Sequence, residues 1–389
     1  MQRDKKNVLK KLFWAGFLFS LHAASTLYLN SSFLAERMSD ASVGILYMLS
    51  SGLSLVGMTT LPGILRKVGS RGVVFGLILT SGLSLFGMTS NLPLAAIGAC
   101  FVTYFSANTL LLLSIDILIE HSAETSFMGQ TRGMYLTACN IGFMMAPLVA
   151  GFLTDRLGFI ALYRVVLVLL IPVAIILVWK IPVLKQEESG GQKHILREYR
   201  KFFSSRDLRN VYLANFLLQF FYAWMVIYTP IYLHEHLHIA WDTIGLLFTM
   251  MLSAFVLLQT PLGKLADRFI GEKELMVIGF LCIGIATFLV GSPNMATYSL
   301  TTIALILFAT RVGASTIEVA TEAYFFKKIS PSDTTSIGFF RNTYPIAYLL
   351  GPLIAAGLLN FIHIRSLFSI LGILCLSGIF FALRIRDTK

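Results

Sequence analysis

Apolar runs separated by short polar connections recur from one end of the chain to the other. A helix needs about 20 apolar residues to cross a hydrocarbon layer about 30 Å thick. Twelve runs reach that length. In the first half they are approximately 12–34, 42–64, 73–90, 93–119, 133–153 and 159–181. In the second half they are approximately 210–233, 243–264, 274–292, 296–325, 335–360 and 363–384. The pattern predicts an all-α integral membrane protein with twelve transmembrane helices and both termini on one side.

Composition narrows the class further. Only 13% of the residues are charged and 56% are hydrophobic, too few polar side chains to wet a soluble fold of 389 residues. A cytosolic enzyme, a disordered scaffold and a coiled coil are excluded together. The basic surplus, 31 Lys and Arg against 20 Asp and Glu, falls in clusters between apolar runs and forms no nucleic-acid stripe. Of those 31, 26 lie on the side of the N-terminus, while Arg37, Arg156, Arg164 and Arg365 lie opposite. The positive-inside rule therefore places both termini in the cytoplasm, with the protein in the cytoplasmic membrane. The basic N-terminus runs into a full-length span with no cleavage site and is expected to stay as a first crossing. Cys100, Cys139, Cys282 and Cys375 all lie inside apolar runs and are expected to be buried thiols.

The longest polar stretch, 183–209, carries Gly190-Gly191 and divides six spans from six. It is expected to be a cytoplasmic linker, with room for a short amphipathic helix around Ile195–Phe203 on the inner leaflet. The predicted domains are a bundle over 1–182, this linker, and a bundle over 210–389. The halves repeat each other. Phe33-Leu34-Ala35-Glu36 parallels Tyr232-Leu233-His234-Glu235, and Gly44 parallels Gly245. Pro62 to Gly69 parallels Gly263 to Ile270, Arg132 parallels Arg341, and Ala146-Pro147 parallels Gly351-Pro352. Asp116 and Glu120 parallel Glu318 and Glu322, both at an offset of 202. An ordered series of this kind marks two structural repeats.

Gly263-Lys264-Leu265-Ala266-Asp267-Arg268-Phe269 resembles the loop signature that follows the second span of each half in the major facilitator superfamily of secondary transporters. The first-half copy departs from it, with Arg66 where the family has Asp and Pro62 where it has Gly; Lys67, Gly69 and Arg71 fit. Gly142 to Gly151 resembles the fifth-span pattern typical of exporters in that superfamily, with Ala146 for a Gly. The branch it most resembles is that of the drug/proton antiporters. The resemblance implies two pseudo-symmetric six-helix bundles, alternating access around a midplane cavity, a small-molecule substrate and no cofactor.

The loop motif makes physical sense as a cytoplasmic gate. Asp267 can face a helix N-terminus, and Arg268 can bind a carboxylate at the membrane edge in a bidentate fork. Glu322 with Arg341, and Glu120 with Arg132, stand in equivalent places near Arg66, Lys67, Gly69 and Arg71. These residues either open and close the inner face or form ordinary interfacial ion pairs worth about 0–1 kcal/mol each. Asp116 and Glu318 lie one turn deeper, where an unpaired carboxylate costs up to about 2.5–3.5 kcal/mol. Each has a second acid four residues on. The two acids of such a pair, about 6 Å apart, repel by about 2.8 kcal/mol at an effective dielectric near 20. Either one of each pair exchanges a proton with the solvent, or all four sit in static salt bridges.

Arg311, Ser315, Glu318 and Glu322 share one face of span ten. Arg311 either binds an anionic substrate group or neutralises a neighbouring acid. The other membrane polar residues expected at a cavity are His22, Asn30, Asn108, Asn140, Asn215, Gln219, Tyr222, Gln259, Tyr344 and Tyr348, with Ser25 and Thr26 beside them. The aromatics Phe220, Phe221, Tyr222 and Trp224 suit amphipathic solutes. His234, His236 and His238 alternate in a connection, and no metal site is expected there. No nucleotide-binding loop is present, so ATP is not the expected energy source.

The sequence thus points to a proton-coupled exporter of small organic solutes, acting as a monomer with protons and membrane lipid as its other partners. Two alternatives stand beside it: an uptake symporter for an anionic nutrient anchored by Arg311, and a non-transporting sensor or lipid-handling protein.

Overall fold

The computed structural model describes residues 2–122, 128–179, 202–268, 270–329 and 334–386. They are helical nearly throughout, with no strand among them. Five helices make up the first half: α1 (Gln2–Leu27), α2 (Asn30–Ala35), α3 (Asp40–Met88), α4 (Leu94–Ser122) and α5 (Met128–Ala174), the last continuing as a wide turn to Trp179. The second half holds α6 (Arg206–Ile231, running on to His236), α7 (Trp241–Arg268), α8 (Glu272–Val290) and α9 (Leu300–Lys328). It ends with α10 (Thr334–Arg341), α11 (Thr343–Leu358) and α12 (Ile364–Leu383).

Starts follow local chemistry. Ser39 and Ser299 cap α3 and α9 by accepting from the backbone N–H of Ser42 and Thr302. Acidic residues open α6 (Asp207) and α8 (Glu272), and Lys327-Lys328 close α9, as the helix dipole favours.

A straight helix of 49 residues would be about 74 Å long, more than twice the hydrocarbon layer. α3 is broken once, at Gly69 (φ 81°, ψ 158°), and α5 once, at Gly158 (φ 75°, ψ 172°). Both angles fall in a region essentially reserved for glycine. Among the described residues, ten segments are long and apolar enough to span a membrane. One of them, Thr137–Val178, has 42 residues and covers two crossings through the Gly158 break. The eleventh apolar run is shared between α10 and the 16-residue α11, which part at Asn342. The chain is a multi-pass membrane protein.

The helices cluster into two compact units, one drawn from Met1–Ser189 with Ile239–Thr249, the other from Gly190–His238 with Met250–Lys389. In the first, α3 packs on α4 and α1 on α5. The opening of α7 also belongs there: a Cβ on Gly151 would sit 2.3 Å from the Trp241 carbonyl oxygen, so only glycine permits that crossing. In the second unit α8 lies between α9 and α12, and α6 packs on α9, α11 and α12. α8 and α9 touch backbone to backbone, since a Cβ on Gly313 would fall 2.6 Å from the Ile283 nitrogen. That contact fixes the middle of α9, where the charged residues lie.

Candidate functional site

α9 presents Arg311, Ser315 and Glu318 toward α6. The Tyr222 hydroxyl donates to Glu318 Oε2 at 2.8 Å. The Arg311 guanidinium lies over the rings of Phe221 and Tyr222, 5.1 and 5.6 Å from their centroids. Arg311 is 1% exposed, and its Nε and Nη1 have no hydrogen-bond partner among the described residues. Ser315 Oγ, fully buried beside it in the helix, also has none. Cation–π contacts return about 0.5–2 kcal/mol. The burial of an unpaired guanidinium at membrane depth costs more, about 2.5–3.5 kcal/mol on insertion scales. Two guanidinium nitrogens, with three N–H donors between them, and a hydroxyl left over are a built-in demand for an acceptor.

Around this cluster α6 is tied to α11. Asn215 Nδ2 donates to Thr343 Oγ1 at 2.8 Å, and Trp224 Nε1 donates to the Gly351 carbonyl at 2.7 Å. Tyr344 and Tyr348 meet in a tilted pair, 4.6 Å between centroids, on α11. Gln219 on α6 and Gln259 on α7 are half-buried. Glu322, one turn beyond Glu318, is exposed, as is Arg341. The structure therefore brings Arg311, Glu318 and Tyr222 together and leaves Glu322 and Arg341 at the surface of their unit.

The first unit holds a different network, without a buried cation among its described residues. His22 Nδ1 donates to the Val166 carbonyl at 2.9 Å, which leaves Nε2 as the acceptor facing the Tyr104 hydroxyl at 3.4 Å. Thr26 Oγ1 lies 3.0 Å from that hydroxyl, and Ser81 donates to Asn108 Oδ1 at 2.8 Å. Tyr163 donates to Asn30 Oδ1 at 2.6 Å. His22, Tyr104 and Tyr163 are buried; the first two hold α1 to α5 and α4, and Tyr163 holds α5 to α2. Ser25 bonds its own helix at the Leu21 carbonyl. Asn140 and Asp116 are half-buried in the same unit.

Of the gate residues, Lys67 and Arg71 are exposed, Gly69 supplies the break in α3, and Gly263 has open space around it. Arg66, Glu120, Arg132, Asp267 and Arg268 lie outside the described side chains, and the linker lies outside the described residues up to residue 201. The sequence pattern did not single out an ionic cluster at the corresponding end of the second unit. Lys327 pairs with the fully buried carboxylate of Glu272, and Lys328 Nζ lies 3.5 Å from Asp207. Asp207 also accepts from the Arg386 backbone N–H at 3.2 Å, and Tyr324 donates to the Arg386 carbonyl at 3.0 Å. Acids in first turns and lysines in a last turn were the signal that could have found it.

A helical, multi-pass chain with charged and polar side chains held inside its bundles has the build that a membrane transport protein requires. The family model of the Major Facilitator Superfamily matches residues 12–241 and 211–389, and the chain belongs to that superfamily. Among solved structures it is similar to a crystal structure of a mutant of the nucleoside transporter NupG, with TM-score 0.78 and 17% identity. That match covers 97% of this chain and 99% of the other and extends the likeness in fold over the whole length. No curated protein sequence gives a significant match.

Proposed function

We propose that the protein is a proton-coupled secondary transporter of a small organic solute bearing a carboxylate or a comparable acceptor group. Glu318 carries the proton and Arg311 receives the acceptor. The observation that carries this reading is the buried Arg311 guanidinium, with two nitrogens lacking partners among the described residues. Arg311 and Glu318 are seven residues apart on one helix face, an axial rise of about 10 Å. At that separation and an effective dielectric near 20, an anion at Arg311 is repelled by a charged Glu318 by about 1.7 kcal/mol, about twentyfold in affinity. Protonation of Glu318 removes the repulsion, so solute and proton bind together, as a symporter requires.

Both termini are placed in the cytoplasm and the protein in the cytoplasmic membrane, on the distribution of Lys and Arg. The bundles are read as 1–182 and 210–389, acting as a monomer; the two helical units support this division except that Ile239–Thr249 clusters with the first. The charges at Arg66, Lys67, Arg71, Arg132, Asp267, Arg268 and Arg341 would then gate the inner face. Asp116, with Glu120, is the first-half counterpart of the coupling acid.

Export is the second reading, favoured by the Gly142–Gly151 segment, whose Gly151 lies against Trp241 and Gly245 with no room for a Cβ. A thermal-shift screen of carboxylate-bearing and other amphipathic solutes would identify a ligand, whose affinity is then measured at two pH values. Affinity at least tenfold tighter at pH 5.5 than at pH 7.5, lost in Arg311→Gln and made pH-independent in Glu318→Gln, is the expected result. Binding that is weakened at low pH would support exchange of solute against protons and the export reading. Wild-type binding indifferent to pH overturns the coupling role of Glu318.

A further inference from the structure

A crevice runs along the outside of the first unit, between the second segment of α3 and the second segment of α5. Gly82 faces Leu167 and Leu170, and the lining runs over Phe75–Phe86 on α3 and Leu167–Ala174 on α5. Two cavities lie end to end along it. One, about 500 Å³, is apolar and extends from Phe75 to Phe86 on α3. The other, about 600 Å³, includes Met88, two residues beyond Phe86, and Ile160, and is lined by Arg37, Thr89, Ser90 and Asn91.

Position decides what fits. The apolar part covers eleven residues of helical rise, about 17 Å, close to one leaflet of a hydrocarbon layer about 30 Å thick. The polar part lies where α3 ends, at the edge of the span Lys67–Met88. Arg37 reaches it with its side chain about one third exposed; its Nη1 donates to the Phe33 carbonyl at 2.8 Å and lies 3.4 Å from the Glu36 carboxylate, which leaves its other nitrogens for an anion. Arg164 lies on the same face of α5 as Ile160, Leu167, Val168 and Ile171, four residues inside Ile160, and is exposed. No ion pair of Arg164 occurs among the described residues. An exposed guanidinium inside an apolar span is costly unless an anion meets it.

We infer that this crevice is a binding site for one anionic phospholipid of the surrounding bilayer. Its phosphate sits between Arg37 and Arg164, its glycerol and headgroup hydroxyls face Thr89, Ser90 and Asn91, and one acyl chain lies along the groove at Gly82. Phosphate and guanidinium match in charge and in bidentate geometry, and the groove supplies the length that a free phosphate does not use.

Native mass spectrometry of the purified full-length protein, titrated with dioleoyl phosphatidylglycerol or dioleoyl phosphatidylcholine, tests this site. One phosphatidylglycerol is expected to be retained with at least tenfold preference over phosphatidylcholine. Arg37→Gln with Arg164→Gln should bring the two lipids level. Arg209→Gln with Arg384→Gln removes equal charge from the other unit and should leave the preference intact. Leu79→Gln, or Gly82→Leu if the former misfolds, should lower retention of both lipids. Equal retention of the two lipids by the wild type overturns the inference. So does a preference unchanged in the folded Arg37/Arg164 variant, or displacement of the bound species by a transported solute and not by phosphatidylglycerol.

Discussion

Tyr222 and Glu318 meet hydroxyl to carboxylate at 2.8 Å, although 96 residues separate them in the chain. The same ring carries the Arg311 guanidinium over its face. One side chain of α6 thus touches both Glu318 and Arg311 of α9, the first through its polar tip and the second through its π system.

That arrangement separates two variants. Tyr222→Phe keeps the ring under Arg311 and removes a hydrogen bond to a charged group, worth about 1.5–3 kcal/mol. Proton-driven flux in proteoliposomes should fall about tenfold while solute binding stays within a few-fold. Glu318→Gln should abolish proton-driven flux with folding intact; unchanged flux would remove Glu318 from the coupling step.

Arg311→Met should abolish solute binding yet leave the empty protein as stable as before, or more stable by up to about 3 kcal/mol. Replacing a buried, incompletely paired charge by an apolar side chain of similar size is often neutral or favourable. Denaturant titration in detergent measures it. A loss above about 1 kcal/mol would mean that Arg311 holds the unit together instead of awaiting a ligand.

Gly158→Ala should destabilise by about 1–2 kcal/mol although nothing lies within 4 Å of the added methyl. The cost is one of backbone angle alone. Gly76→Ala, in a helix and equally uncrowded, should instead stabilise by about 0.5–1 kcal/mol. Melting midpoints moving in the same direction would contradict the assignment of strain to the Gly158 break.

Lys327→Met removes the cation facing the fully buried Glu272 carboxylate. The lysine itself is 44% exposed, so solvent screens part of the pair and a loss of about 1–3 kcal/mol is expected. Adding Glu272→Gln should recover most of it, which a double-mutant cycle reads directly.

The fold was legible because an apolar run either reaches the width of a membrane or does not, and that test needs no partner residue. Arg311, Ser315 and Glu318 were legible for the same reason: they share a face of one helix at i, i+4 and i+7. Tyr222 stood among the polar candidates, but its bond to Glu318 depends on how α6 crosses α9, which no local pattern encodes. The ionic cluster of Asp207, Glu272, Lys327 and Lys328 went unread because its members come from three helix ends far apart in sequence. His22, Asn30 and Asn108 show the converse: a polar side chain on an apolar helix reads alike whether it faces a solute or is stitched to Val166, Tyr163 or Ser81.

The breaks at Gly69 and Gly158 each join two membrane crossings through a single residue, leaving no slack between them. Each pair of legs is therefore one stiff elbow. A tilt imposed on one leg has only the backbone angles of one glycine, and no loop, to absorb it.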